Sequence, residues 1–170
     1  MSTPSFRSLV HMQQWACATF PERPALGTKR NGSYVWLNFA DFAKKIDVCR
    51  AALAASGVKR GDKVAIIANN REEWAVAAYA TYGLGAHYVP MYEAQLPKDW
   101  RYIIEDSRAV VLLAATQAIY DQTRPFADDI DHLGDVICLD APADAPHGWD
   151  AWVARGAAHP VDAVDPDWDE

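Results

Sequence analysis

Residues 57–74, GVKRGDKVAIIANNREEW, join a helix end to a buried strand and that strand to a second helix with almost no spare residues. Gly57 stands where a helix ends best on a residue that tolerates a left-handed backbone. Lys59, Arg60, Gly61 and Asp62 form a short polar turn. The apolar run Lys63–Ala68 suits a parallel strand covered on both faces. Asn69 and Asn70 then offer side-chain oxygens to the free amides of a helix starting near Arg71, with Glu72 and Glu73 in its first turn. Such a unit sets a fold class and no chemistry.

The rhythm continues outward on both sides. Downstream, a helix over Glu72–Tyr82 is apolar nearly all round and so buried. A strand follows at His87–Pro90, then a helix at Pro97–Asp106 that opens on proline. Next come a strand at Ala109–Ala114 and a helix at Ala118–Ile130 with Ile119, Thr123, Phe126 and Ile130 as its stripe. Val136–Leu139 is a fourth strand. This alternation calls for parallel strands with right-handed crossovers. Upstream, a helix is expected over Ser5–Phe20 with Leu9, Met12, Ala16 and Phe20 on one face, ended by Pro21 and Pro24. Ala25–Arg30 and Ser33–Leu37 read as a hairpin about Asn31-Gly32. Asn38 caps a helix that buries Phe42, Ile46, Cys49 and Leu53 and closes at Gly57. The expected fold is therefore α/β: a mostly parallel sheet with helices on both faces, preceded by a helix and a β-hairpin. Residues 1–140 make the α/β part, and 141–170 an acidic connecting segment rich in Pro, Ala and Asp.

The net charge of −7 is unevenly spread. Residues 1–120 carry 14 Lys/Arg against 10 Asp/Glu, and residues 121–170 carry 2 against 13. No basic stripe with interleaved aromatics occurs, which argues against a nucleic-acid partner. The acidic end reads as solvated surface. Cys17, Cys49 and Cys138 match no metal or disulfide spacing, and buried thiols in a reducing cytoplasm are the plain expectation. No signal peptide opens the chain, since Arg7, His11 and two glutamines interrupt its apolar residues. The eighteen uncharged residues Ala75–Tyr92 approach membrane-spanning length. Gly83, Gly85, His87 and Pro90 break that run, so a buried helix, a turn and a buried strand explain it, and no transmembrane segment is expected.

Catalytic motifs are scarce. There is no GxxxxGK[ST], GxGxxG or GxSxG, and Gly83-Leu-Gly85 precedes a strand instead of opening a helix. The five histidines never take a metal-site spacing, and His87 in its apolar run reads as a hydrogen-bonded core residue. Glu72-Glu73 and Asp128-Asp129 are adjacent on helices, so their side chains diverge and read as solvated faces. Trp74, Tyr88 and Tyr92 line a cleft or, more ordinarily, fill core. Asn70 and Tyr92, at the carboxyl ends of strands where open α/β sheets place ligands, are the two candidate substrate-binding residues.

The order of segments resembles the N-terminal part of the acyl-adenylate-forming (AMP-binding) superfamily. The resemblance rests on Pro24-Ala25-Leu26, the strand containing Tyr34, and Leu37-Asn38-Phe39-Ala40-Asp41-Phe42. It continues through Gly57–Ile66, Asn69-Asn70 to Glu73-Trp74, and Gly83-Leu84-Gly85-Ala86 leading to Val89-Pro90-Met91-Tyr92. Tyr102–Ser107 before a strand completes it. Pro90-Met91-Tyr92 resembles long-chain fatty acyl-CoA synthetases most closely, and the likeness covers about residues 10–140. It implies, for a longer parent, ATP-dependent activation of a carboxylate with Mg, then transfer of the acyl group to CoA. Fatty acid and CoA would be the parent's substrates, and the downstream subdomains of the same chain the partners of this one. The family's Ser/Thr/Gly-rich phosphate loop, ribose-binding acid and C-terminal lysine have no match here. The expectation is thus an N-terminal segment that is inactive alone, holds no cofactor, and self-associates through uncovered apolar surface. An aryl-CoA ligase or adenylation domain is the alternative parent. A free-standing flavodoxin-like binding module, with the acidic tail as a partner-binding segment, is the alternative of another class.

Overall fold

The computed structural model describes residues 5–164. The segment Asp165–Glu170 lies outside the described residues. Helix α1 (Leu9–Thr19) is followed by strands β1 (Pro24–Arg30) and β2 (Ser33–Asn38) and helix α2 (Phe39–Ala55). Strand β3 (Lys63–Ile67), helix α3 (Glu72–Gly83), strand β4 (His87–Met91), helix α4 (Pro97–Ser107) and strand β5 (Ala109–Ala114) come next. Helices α5 (Gln117–Thr123) and α6 (Phe126–Asp129), strand β6 (Asp135–Cys138) and helix α7 (Trp149–Gly156) complete the order.

Strands β1 and β2 pair as an antiparallel hairpin. Both turn residues, Asn31 and Gly32, have positive φ (49° and 84°), the backbone that a two-residue turn of matching twist requires. The other four strands form a parallel sheet in the order β4-β3-β5-β6. The chain thus steps from β3 to one neighbour, crosses back to β5, and continues outward to β6. Right-handed crossovers then put α3 on one face and α4, α5 and α6 on the other. The packing agrees: α3, α1 and α7 all lie against α2, and α4 lies against α5. Val64, Ala65, Ile66 and Ile67 are fully buried, as are Val111–Ala114, so the two central strands carry the core between the helical layers.

Local chemistry explains most of the element ends. The Asp41 N–H donates to Asn38 Oδ1 at 2.7 Å, capping α2 as its sequence promises. Phe42, Ile46, Cys49 and Leu53 are all buried. Gly57 adopts φ +85° just past the end of α2, and the Val58 N–H donates back to the Leu53 carbonyl at 3.1 Å.

Four expectations are corrected. Helix α1 starts after Ser8, whose Oγ accepts from the His11 N–H at 3.0 Å, and it buries Val10 and Cys17 while Leu9 is half exposed. The face toward α2 and α3 is therefore centred one residue beyond the anticipated stripe. Neither Asn69 nor Asn70 caps α3: Arg71 holds the N-cap position with extended backbone and no side-chain cap bond. The Asn69 N–H donates instead to Glu93 Oε1 at 2.7 Å. His87 is exposed, because β4 is the edge strand of the sheet. The helix anticipated over 118–130 is two helices, because Pro125 has no N–H to continue the ladder. Its stripe of Ile119, Thr123, Phe126 and Ile130 is nonetheless buried.

Helix α7 belongs to the layer of α2. Gly156 packs against the Ala51–Ala52 backbone, and buried Trp152 donates its Nε1–H to Ser56 Oγ at 2.9 Å. The chain beyond is strapped down at two points. Buried Arg50 donates from Nε to the Val161 carbonyl at 2.8 Å, and the Val164 N–H donates to the Gly83 carbonyl at 2.8 Å.

Candidate functional site

In an open parallel sheet the crevice lies at the carboxyl ends of adjacent strands whose connections leave in opposite directions. Here those strands are β3 and β5. Arg71 fills this position. Its extended N-cap backbone sends the side chain across the rim, where three acceptors meet it. Nε donates to Glu73 Oε2 at 2.7 Å, Nη2 to Asp140 Oδ1 at 2.9 Å, and Nη1 to the Ala115 carbonyl at 3.3 Å. One guanidinium thereby ties the turn after β3, the first turn of α3, the end of β5 and the second residue after β6 into a latch.

Burial works against the charge of Arg71, but its bonds to Glu73 and Asp140 outweigh that and drive its pKa up. Burial likewise pushes the Glu73 carboxyl up, and the Arg71 hydrogen bond outweighs it, leaving Glu73 below the usual carboxylate range. Glu72, beside it, pairs with Lys45 of α2 at 2.6 Å. The two adjacent glutamates diverge as expected, yet each is committed to an ion pair and neither is a plain solvated face.

This rim does not fit a nucleoside triphosphate. Counting Arg71, Glu73 and Asp140, the latch carries net charge −1, and the N-terminus of α3 presents two carboxylates where an anion would bind. No glycine-rich turn follows β3. Among the described residues no cluster of three or more His, Cys, Asp or Glu could hold a metal ion. The three thiols are buried, and burial raises the pKa of each, most of all Cys49, so none is poised as a nucleophile.

Asn70 and Tyr92 are both on the rim, at the ends of the neighbouring strands β3 and β4, and both are exposed. Tyr92 is fixed through its backbone: its N–H donates to Gln95 Oε1 at 3.0 Å and its carbonyl accepts from Trp100 Nε1 at 2.9 Å. Tyr92 as a whole is 76% exposed. Trp74 and Tyr88 pack edge to face 5.3 Å apart within the fold, with the Tyr88 hydroxyl donating to the Trp74 carbonyl at 3.0 Å. Burial pushes the Tyr88 phenol well up, and it serves as structure.

A shallow cleft of about 230 Å³ lies beside the latch, between α2, α3 and α7. Val48, Val76, Val153 and Trp149 form its apolar part, and Lys45 and Glu72 flank it. Its mixed charges and lack of a nucleophile or acid–base pair suit packing and not chemistry.

In the sequence Arg71 stands out only as a helix start and Asp140 not at all, although a signal for their meeting exists. Each follows a strand of one parallel sheet, so both had to emerge at the same rim.

Comparison with known proteins identifies the family to which this fold belongs. The family model described as AMP-binding enzyme matches residues 13–169. The long-chain-fatty-acid–CoA ligase FadD15 of Mycobacterium bovis is 30% identical over 128 residues, which is 75% of this chain and 21% of the ligase. The chain thus spans about a fifth of the length of that relative. The anthranilate CoA ligase AuaEII, solved with anthranoyl-AMP, superposes with TM-score 0.76 at 19% identity, covering 95% of this chain and 30% of that one. The adenylation domain of a carboxylate reductase from Mycobacterium chelonae gives TM-score 0.80 at 18% identity, covering 99% and 31%. A doubly wound sheet preceded by a helix and hairpin, in a chain matched by the family model almost from end to end, belongs to the AMP-binding enzyme family.

Proposed function

We propose that this chain is the N-terminal α/β layer of an ATP-dependent long-chain fatty acyl-CoA synthetase. The parent activates a fatty acid as its acyl-adenylate with MgATP and passes the acyl group to CoA. Within it, residues 1–140 build the sheet and 141–170 lead toward the subdomains that supply the phosphate-binding loop and the reacting centre. The layer's task is positional: Arg71 fixes the rim from which Asn70 and Tyr92 face the acyl-binding side. Such positioning matters because holding reactants in place supplies a large share of the rate in reactions of this kind. We place the enzyme in the cytoplasm, consistent with three buried, unpaired thiols.

The observation that carries the reading is the family match over residues 13–169, with a long-chain ligase at 30% identity. The test is pyrophosphate release by the full-length product of the gene, measured with alkyl carboxylates of graded length and with aryl carboxylates. The reading expects the highest kcat/KM for long-chain fatty acids. Preference for aryl acids would replace it with an aryl-CoA ligase, and preference for amino acids with an adenylation domain.

A further inference from the structure

Arg50 is the one charged side chain among the described residues that is buried, and the rim makes no use of it. A buried cation is costly unless its donors find acceptors. Nη2 of Arg50 donates to Asp47 Oδ1 at 2.7 Å, one turn back on α2. Nε donates to the Val161 carbonyl at 2.8 Å, across 111 residues of sequence. The second bond ties α2 to the backbone of the segment that follows α7.

Gly83, of the Gly83-Leu84-Gly85 run, lies against the same segment. It is the last residue of α3 and its φ is not positive, so the backbone does not call for glycine there. A glycine even weakens a helix relative to alanine. Space is the reason: an added Cβ would come 3.0 Å from Arg50 Cδ and 3.3 Å from Ala163 Cβ. The Gly83 carbonyl accepts from the Val164 N–H at 2.8 Å. Val161 and Ala163 are half-buried and alternate with exposed Asp162 and Val164, so the segment lies extended over α2 and α3. It joins neither sheet, and Arg50 and Gly83 hold backbone groups that a neighbouring strand would hold elsewhere.

We propose that Arg50 and Gly83 form a seat for residues 161–164 and are positioning residues for the enzyme. The seat fixes the line on which the polypeptide continues toward the subdomains that bind the nucleotide. This role rests on the reading of the chain as one layer of a longer synthetase. Helix α3 runs back along the sheet, so its last residue lies at the amino ends of β3 and β4, while Asn70 and Tyr92 lie beyond their carboxyl ends. The five-residue strands set these two ends about 17 Å apart. A small swing of the segment at its seat therefore becomes a larger displacement where acyl group and nucleotide must meet. Misplacement by about 1 Å at a reacting centre costs up to about 100-fold in rate. Held at two points and exposed on its outer side, the segment is also one that a single substitution loosens while the sheet stays folded.

The full-length gene product carrying Gly83→Ala or Arg50→Met tests this, by hydrogen exchange over residues 161–164 and by steady-state acyl-CoA synthesis from a long-chain fatty acid. Gly83→Ala gives α3 a better helix former while its Cβ displaces Ala163 and the Arg50 stem. Arg50→Met keeps an apolar stem and removes the donor to the Val161 carbonyl, and the Asp47 side chain, 63% exposed, turns to water. In both variants the Val164 amide should exchange about five- to tenfold faster, and kcat should fall by several-fold to about tenfold. The KM for ATP should hold, because groups outside this layer bind the nucleotide, and Gly83→Ala should keep or raise the urea midpoint. A Val164 amide that exchanges freely in the wild type would overturn the proposal. So would variants that loosen the segment and keep kcat, or a loss of kcat in Gly83→Ala matched by a lower urea midpoint, which would leave both residues a role in stability alone. A wild type inactive toward every carboxylate would instead overturn the synthetase reading and the positioning role with it, while the exchange result would still decide whether the seat exists.

Discussion

Arg71 shows how much one side chain organises here. It is the only group that touches the β3, β5 and β6 ends of the rim among the contacts described, and two carboxylates depend on it. Arg71→Met leaves Glu73 half-buried without its cation, and a partly buried carboxylate left unpaired costs about 1–3 kcal/mol. Urea denaturation at neutral pH measures that loss. The pH dependence has a definite sign. Arg71 holds Glu73 below its unfolded value of about 4.3, so its stabilisation is complete above that pH and disappears as pH falls through the lower folded pKa. The urea midpoint of the wild type should therefore fall on acidification below about pH 4, and Arg71→Met should flatten that fall. Residue-scale features were the least legible in the sequence. An arginine bridging 44 and 69 residues of separation leaves no local pattern. Asn69 and Asn70 looked like caps because their chemistry suits capping, yet the backbone turns one residue later and Glu93 takes the amide instead.

Elements were legible wherever local chemistry and tertiary packing ask for the same thing. Asn31-Gly32 gave its hairpin turn, Asn38 its cap and Gly57 its helix end, because each answers a backbone need within four residues. The run 118–130 misled because its apolar stripe is real and spans two helices, with only Pro125 to reveal the break. His87 misled because an apolar neighbourhood does not distinguish an edge strand from a central one. Contact between α7 and α2 could not be read at all, since it needs the absence of a side chain at Gly156. There an added Cβ would sit 2.3 Å from the Ala52 backbone nitrogen, which cannot give way. Gly156→Ala should accordingly push the two helices apart and destabilise the chain by about 3 kcal/mol or more. Gly27→Ala meets only the exposed Trp36 ring, which can swing aside, and should cost under about 1 kcal/mol. Thermal melts of the two variants side by side distinguish backbone collision from side-chain adjustment. Equal losses would contradict the assignment of α7 as a tightly seated part of the α2 layer.

Across the whole molecule, the fold class was readable because strand–helix alternation and parallel sheets imply each other. Strand order was not, since only the crossovers decide which strands lie inside, even though Pro90 suits the edge position that β4 takes. The membership in the AMP-binding family came from ordered short segments, each loose alone. The substrate-facing role proposed for Asn70 and Tyr92 rests on their place at the rim and on side chains exposed among the described residues. No helix among the described residues is long and apolar enough to cross a membrane. The account's central claim is a division of labour: this layer positions, and groups outside it bind the nucleotide and react. Carboxylate-dependent exchange of pyrophosphate into ATP tests that claim most directly, measured for the 170-residue chain beside the full-length gene product with a long-chain fatty acid. The account predicts exchange by the full-length protein and none above background by the 170-residue chain; exchange by the 170-residue chain alone would contradict it.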